Sequence, residues 1–368
     1  MPERSEGCDV AILGAGPTGC AIAYNLARRR VAPVVLDRGG AGGAHAVSGR
    51  IDVPWDSPEP YARLCLRSAE RYPLLEEEIG AIECVRSGSL APALTDEDAR
   101  AGMARAQQQA VAGLDVRWLP RDEALAVEPA LSPQILGAVY SPSGGSVNPD
   151  LLVHRLMKAA RQLGASFLLH RGYLAVDARP GGFLIRSGAG DIQAERLVLA
   201  ADADDPEIRR QVDIDVPVRR VRDLMLVTDA VSPLLRHTLP WVHQRASGEI
   251  VIEGPAPGGV AFDAIGRAAR EVVRLLPSLS AARVLRACAG ARADSIDGWP
   301  ILGQAADNVY VAAAPQEITL CPLVGEVLTE IITRRHAPDD IERFGPARFS
   351  ASAASAGGER RQDSGRTP

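Results

Sequence analysis

Gly14, Gly16 and Gly19, in the stretch ILGAGPTGCAIAYNLARRR, carry the spacing of a dinucleotide cradle, and Asp37 follows 23 residues after Gly14. Each residue type has a task in such a cradle. Gly14 permits a tight turn, Gly16 lets the backbone approach a pyrophosphate, and Gly19 lets helix and strand pack closely. Ala15, Pro17 and Thr18 complete the turn, and the helix that starts there faces the phosphates with free N–H groups. Asp37 can accept hydrogen bonds from ribose hydroxyls, and a carboxylate there disfavours a 2′-phosphate. Three glycines at this spacing arise often by chance, so the flanking residues decide.

The flanks supply the required context. Residues 10–13 are a short apolar run suited to a buried parallel strand, 18–29 repeat small and apolar residues at helical spacing, and 32–36 form a second β-rich run ended by Asp37. Further along, the spacing predicts a helix over 56–80, a polar helix over 96–110, and a loop, short helix and turn over 118–131. A glycine-rich loop precedes a helix over 149–163. Short strands are expected at 166–169, 173–177, 182–186 and 193–200, with further strands at 216–228 and 249–254. A helix fits 264–276, turns and strands alternate over 288–321, and a last helix is expected over about 322–335. From Pro346 the chain turns to Ser, Ala, Gly, Arg and Gln, so 346–368 are expected to form a disordered tail.

The totals bound the function. A chain of 368 residues, 46% hydrophobic, can bury one large or two ordinary cores. Its net charge of −5 gives no footprint for nucleic acid. No apolar run approaches the ~18–20 residues of a membrane span, and residues 1–8 hold no apolar signal segment, so a cytoplasmic protein is expected. The six cysteines form no C-x-x-C pair, which points to reduced thiols and against an iron–sulfur or zinc site. Lys158 is the only lysine among 41 basic residues, so almost no lysine is available as a base or to activate oxygen.

The chain order, with the cradle first, a meander in the middle and D-G-W-P-I-L-G (297–303) near the end, resembles the FAD-dependent D-amino acid oxidase superfamily. Within it the sequence is most similar to the glycine oxidase, sarcosine oxidase β-subunit and D-amino acid dehydrogenase branch. The segments that carry the likeness are ILGAGPTGCAIAYNLARR with VVLDRG, GGSVNPDLLVHRLMKAARQLGA, VPVRRVRDLMLVTD, RASGEIVIEG, AGARADSIDGWPILG and FGPARF. The resemblance implies an α/β fold in which a Rossmann-like FAD-binding domain (1–50, 140–212, 286–345) interleaves with an α+β substrate domain (51–139, 213–285) built on a mainly antiparallel sheet. Flavin would lie at their interface, where small-ligand clefts usually form.

By the same resemblance, Arg292 takes the position of the arginine that pairs with a substrate carboxylate, and a guanidinium matches that group bidentately. Arg38, Ala44, His45, Tyr173, Ala201 and Gly303 fall at FAD-site positions, and Gln316, Glu317, Ile318 and Thr319 occupy the segment whose backbone faces the flavin pyrimidine. His45 also fits a surface loop. Trp241 and His243 fall near a strand that often offers a tyrosine to the substrate, although packing explains them better. The implied reaction is oxidation of the C–N bond of a D-amino acid, glycine, sarcosine or imino acid by hydride transfer to flavin, with no protein nucleophile or strong base required. Two departures stand out: Asp202 replaces a glycine near FAD, and the usual Gly-His pair is missing before Gln316. They and the short chain point to a subunit of a heteromeric dehydrogenase, or to a catalytically weak FAD-binding scaffold subunit. A flavin monooxygenase or NAD-linked enzyme would need a second nucleotide fingerprint, which mid-chain lacks.

Overall fold

The computed structural model describes residues 6–39, 49–53, 57–170, 173–188, 190–200, 205–255, 261–334 and 336–349. Val10, Ala11, Ile12 and Leu13 are wholly buried, as an interior parallel strand requires. Their strand, β1 (Glu6–Leu13), lies between β2 (Pro33–Leu36) and β11 (Gly190–Leu199) and runs parallel to both. β8 (Ser166–Leu168) extends the sheet beside β2, and β17 (Val309–Ala313) extends it beside β11, both again parallel. The antiparallel β16 (Ile301–Ala306) forms one edge, and β9 (Tyr173–Arg179) and β10 (Gly182–Ser187) make a meander from β11 that brings the sheet to eight strands.

Alternation along the strands divides the core. Val10, Ile12, Val35 and Val198 face α1 (Pro17–Arg28), α6 (Pro149–Gln162) and α9 (Glu317–Arg334), while Ala11, Leu13, Leu197 and Leu199 pack with the meander and with Ile208 of α7 (Pro206–Gln211). A second sheet is wholly antiparallel, in the order β13 (Val242–Gln244), β14 (Glu249–Pro255), β12 (Val218–Ala230), β15 (Val284–Ser295). One of its faces, with Leu224, Leu226, Ile250 and Ile252, is covered by α8 (Phe262–Leu275). The same core takes in a three-stranded sheet of β4 (Ser89–Ala93), β6 (Gly137–Ser141) and β5 (Arg117–Pro120), flanked by α4 (Asp96–Val111) and α5 (Arg121–Val127). β3 (Arg50–Ile51) pairs with β7 (Gly145–Ser146), and a short α10 (Asp339–Glu342) precedes the end of the described chain. This is the mixed α/β architecture expected from the sequence. Among the described residues no helix is long and apolar enough to cross a membrane.

Two prolines account for differences from the sequence expectation. The helix expected over 56–80 is two helices, α2 (Glu59–Ala69) and α3 (Tyr72–Ile79). Pro73 has no N–H for the carbonyl of Ala69 four residues back, and Arg86 Nη1 donates to that carbonyl instead at 2.8 Å. The sequence pattern puts Pro322 at the opening of the last helix, yet it lies inside α9, which begins at Glu317. The carbonyl that Pro322 leaves without a helical donor is that of Ile318, and the buried Tyr72 hydroxyl donates to it. The structured chain also runs past the expected tail boundary at 346. Arg348 donates to the carbonyls of Phe344 and Gly345 and pairs with Asp297 at 2.8 Å, which fixes the chain to Phe349; residues 350–368 lie outside the described residues.

Gly325 sets the distance between α9 and α1. A Cβ there would lie 2.8 Å from the Ala21 carbonyl oxygen and 2.7 Å from Asn25 Nδ2. The backbone carbonyl cannot turn aside, so overpacking of about 1–3 kcal/mol outweighs the ~1 kcal/mol that Ala gains over Gly in a helix. Gly325→Ala is expected to lower the denaturant midpoint at unchanged m-value; a variant as stable as the parent would show that the two helices can separate at little cost.

Candidate functional site

One row of residues crosses the parallel sheet at the level where its strands end. Leu36, Leu13, Leu199, Val311 and Gly303 stand side by side in register. Gly14 follows Leu13, Asp37 follows Leu36, and Gln316 lies just beyond the end of β17, so these sequence-predicted positions gather at the carboxyl ends of the strands, where open α/β sheets bind ligands. Gly14 has φ of 111°, which a side chain would strain, and a Cβ on Gly19 would lie 2.0 Å from the Gly14 carbonyl oxygen. The glycines therefore let α1 start directly beneath the end of β1. No side chain caps α1 at Gly16, which leaves the first amides of the helix for other acceptors.

Two carboxylates take amides of this turn. Asp37 Oδ2 accepts from Ala15 N at 2.7 Å and its Oδ1 accepts from Gly39 N at 2.8 Å. Each oxygen retains a further lone pair for a hydroxyl donor. Glu317 Oε1 accepts from Thr18 N at 3.2 Å, bridging from the first turn of α9 to that of α1. Burial raises the Glu317 pKa, opposed by the Thr18 backbone and hydroxyl. Beside it, Gln316 Oε1 is buried with no hydrogen-bond partner among the described residues. Ile318 lends its carbonyl to Tyr72, and the Thr319 hydroxyl accepts from Asp52 N at 2.9 Å. Arg38 Nη2 pairs at 2.8 Å with Asp205, the cap of α7, past the same strand ends. Ala44, His45, Ala201 and Asp202 lie outside the described residues, as do the side chains of Tyr173 and Arg292.

The second sheet turns a polar face away from α8. Cross-strand partners share a face, and Val227–Val251, Met225–Glu253, Met225–Cys288, His243–Val251 and Val221–Arg292 are such partners. Strand alternation therefore puts position 292 on the face that carries Glu253 and His243. Arg50 meets this face from β3: it pairs with Asp52 at 3.0 Å and with Glu253 at 3.4 Å. Burial works against the Arg50 charge, but Glu253 and Asp52 outweigh it and hold its pKa above the ordinary arginine value. Burial pushes the Glu253 pKa up, and Arg50 only partly offsets this. His243 is 1% exposed, and neither ring nitrogen has a partner among the described residues. Burial, then the charges of Arg50 and Arg245, lower its pKa to about 3, so the ring is neutral. Trp241, by contrast, is 58% exposed. The Asp52–Thr319 hydrogen bond joins this charged group to the start of α9, and so to the cradle.

Sequence inspection missed Arg50, Asp52 and Glu253. Arg50 is one arginine among many in a glycine-rich stretch, and Glu253 sits in a strand whose alternation is interrupted by no obvious signal. Their burial in one group is visible only once β3 meets β14.

The model of the FAD dependent oxidoreductase family, DAO, matches residues 9–331, and the chain belongs to that family. It is an oxidoreductase with FAD as its cofactor. The chain is 26% identical over 360 residues to glycine oxidase of Geobacillus kaustophilus (strain HTA426), covering 91% of this chain and 96% of that protein. It is 26% identical over 373 residues to the B subunit of opine oxidase from Agrobacterium tumefaciens (strain Ach5), covering 94% and 99%. The crystal structure of the Geobacillus kaustophilus glycine oxidase superposes with a TM-score of 0.86 at 26% identity, covering 93% of this chain and 98% of that one.

The residues present fit FAD. The uncapped start of α1 already draws an anion, the Glu317 carboxylate, to the place where a pyrophosphate would be held. At the end of β2 the Asp37 carboxylate keeps acceptor capacity that ribose hydroxyls would use, and Gln316 Oε1 is a buried acceptor with no partner among the described residues.

His243 gives a pH test of this packing. Below pH 6.5 the unfolded chain binds a proton at His243 that the folded chain refuses until about pH 3. Its contribution to stability is therefore complete above the unfolded value and is lost as pH falls, on the order of a few kcal/mol. His243→Phe should make the urea midpoint fall less steeply between pH 7 and pH 4. An equally steep fall would mean that the ring is accessible to protons in the native state.

Proposed function

We propose that this enzyme oxidises the C–N bond of a small amine or amino acid that carries a carboxylate. The observation that carries the proposal is the meeting of two surfaces: the strand ends that fit FAD and the polar face of the antiparallel sheet, linked through Asp52 N and Thr319 Oγ1. The relatives named as glycine oxidase and as one chain of opine oxidase support amine substrates of this size. Bound FAD supplies the two-electron acceptor.

The protein's own part is binding and orientation. Arg292 pairs with the substrate carboxylate and fixes the C–H bond toward the cofactor. Arg38, Tyr173, Ala44, His45, Ala201, Gly303 and the backbone of the 316–319 segment serve the cofactor. The neutral His243 adds no charge to the pocket, and no general base is assigned, because the amine reacts as its free base and the imine product hydrolyses in water. The likeness to one chain of opine oxidase favours a heteromeric assembly in which a partner chain takes part in electron transfer. In that setting the chain alone would hold FAD yet turn over slowly, and affinity purification from the native host would bring the partner with it.

The test is the visible spectrum of the purified protein before and after anaerobic addition of D-amino acids, glycine, sarcosine, proline and opines. Bleaching of the flavin bands supports amine oxidation. Bands that stay oxidised with every amine, with the native partner present, would sink it. For the substrate that bleaches, Arg292→Ala is expected to raise KM by about 30-fold or more, the consequence of losing one charge pair worth ~2–5 kcal/mol. An unchanged KM would remove Arg292 from this role.

A further inference from the structure

The Glu317 carboxylate lies where the cofactor's phosphate must go. Its Oε1 accepts from Thr18 N, an amide in the first turn of α1, and lies 3.0 Å from the position a Cβ on Gly16 would take. Gly16 is the residue whose bare backbone lets a pyrophosphate approach. A carboxylate and a phosphate cannot share that amide, because both are acceptors and both are negative.

We propose that Glu317 is a built-in competitor for the pyrophosphate site, so that FAD binds only when Glu317 gives up the Thr18 amide and is neutralised by a proton. The side chain has no ion-pair partner among the described residues that would hold its charge elsewhere. Among the described residues, the groups that interact with it include no cation. Cys20 on α1, Cys321 on α9 and Tyr72 on α3 all sense the Glu317 charge, and burial pushes each of them well above its ordinary pKa, so they stay neutral. Asp37, which also acts on Cys20, adds negative charge on the same side, and Arg161 of α6 reaches this region only as a charge felt at Cys20. An arriving phosphate therefore adds to an uncompensated negative environment. Taking up a proton is the least costly response, and the burial that already raises the Glu317 pKa works in the same direction.

The sign follows from linkage. At low pH Glu317 is protonated with or without FAD, and affinity is at its best. As pH rises above the pKa of the FAD-free protein, binding must bring in a proton, and the dissociation constant rises by up to tenfold per pH unit. Glu317→Gln removes both the charge and the proton.

The experiment titrates the full-length apoprotein with FAD, and separately with ADP, from pH 5.5 to pH 8.5. ADP carries the pyrophosphate without the flavin ring, so it isolates this site. The expected result is that Glu317→Gln binds both ligands at least about tenfold more tightly than the parent at pH 8, that the gap narrows as pH falls, and that the variant shows the flatter profile. Glu317→Ser gives the same comparison should the glutamine variant fail to fold. Thermal melts of Glu317→Ser, whose side chain is too short to reach Thr18 N, provide a readout independent of binding: its apoprotein midpoint should fall while its FAD-bound form melts no lower than the bound parent. A residue that only braces α9 against α1 would lower both midpoints and leave the dissociation constants equal or weaker at every pH, and that result overturns the proposal.

Discussion

The approach of Gly19 to the carbonyl of Gly14 is the constraint on which the rest of the site depends. With any side chain at position 19, α1 could not begin beneath the end of β1, and its free amides would no longer point across the ends of the parallel strands. The opposite side of the helix is fixed in the same manner. Gly325 lets α9 lie close enough to touch the Ala21 carbonyl, so α1 is held between a strand and a second helix by two glycines. Once α1 is fixed, the beginning of α9 falls beside the beginning of α1, and two helix N-termini lie side by side.

That convergence needs a repair, and the repair comes from another element. Pro322 should forbid a helix that starts at Glu317. Tyr72 supplies the missing donor to Ile318, which extends α9 by a turn toward the cradle and carries Glu317 and Thr319 with it. Thr319 then reaches Asp52, and through Asp52 the charged group on the antiparallel sheet. A single buried hydroxyl thus links the start of α1 and α9 to the polar face of the second sheet.

Much of this was legible in the sequence. The glycine spacing, the apolar run of β1 and Asp37 at the end of β2 identify the cradle because each answers to local geometry. The pattern from Pro149 gives α6 almost to the residue because Asn148 caps it and Pro149 opens it. The errors arise where a distant residue cancels a local rule. Pro322 reads as a helix start until Tyr72, 250 positions away, is known to stand over Ile318. Residues 346–349 read as tail until Arg348 is seen on Asp297. Arg50, Asp52 and Glu253 were invisible for a related reason: a charged residue announces itself only by its partners, and Glu253 joins the Arg50–Asp52 pair from another sheet.

The charge balance of that group also bears on where a substrate carboxylate can bind. Arg50 is the cation that sequence inspection would overlook, yet it already faces two carboxylates, Asp52 and Glu253, in a buried setting. Opening those pairs to admit a third carboxylate would leave a buried charge uncompensated, at a cost of about 3–5 kcal/mol, more than one new ion pair is expected to return. His243 cannot substitute, because burial and two neighbouring arginines keep it neutral. A carboxylate bound on this face would therefore need a cation other than Arg50 or His243. Under the proposed function that cation is Arg292, at the β15 position that pairs with Val221 of β12.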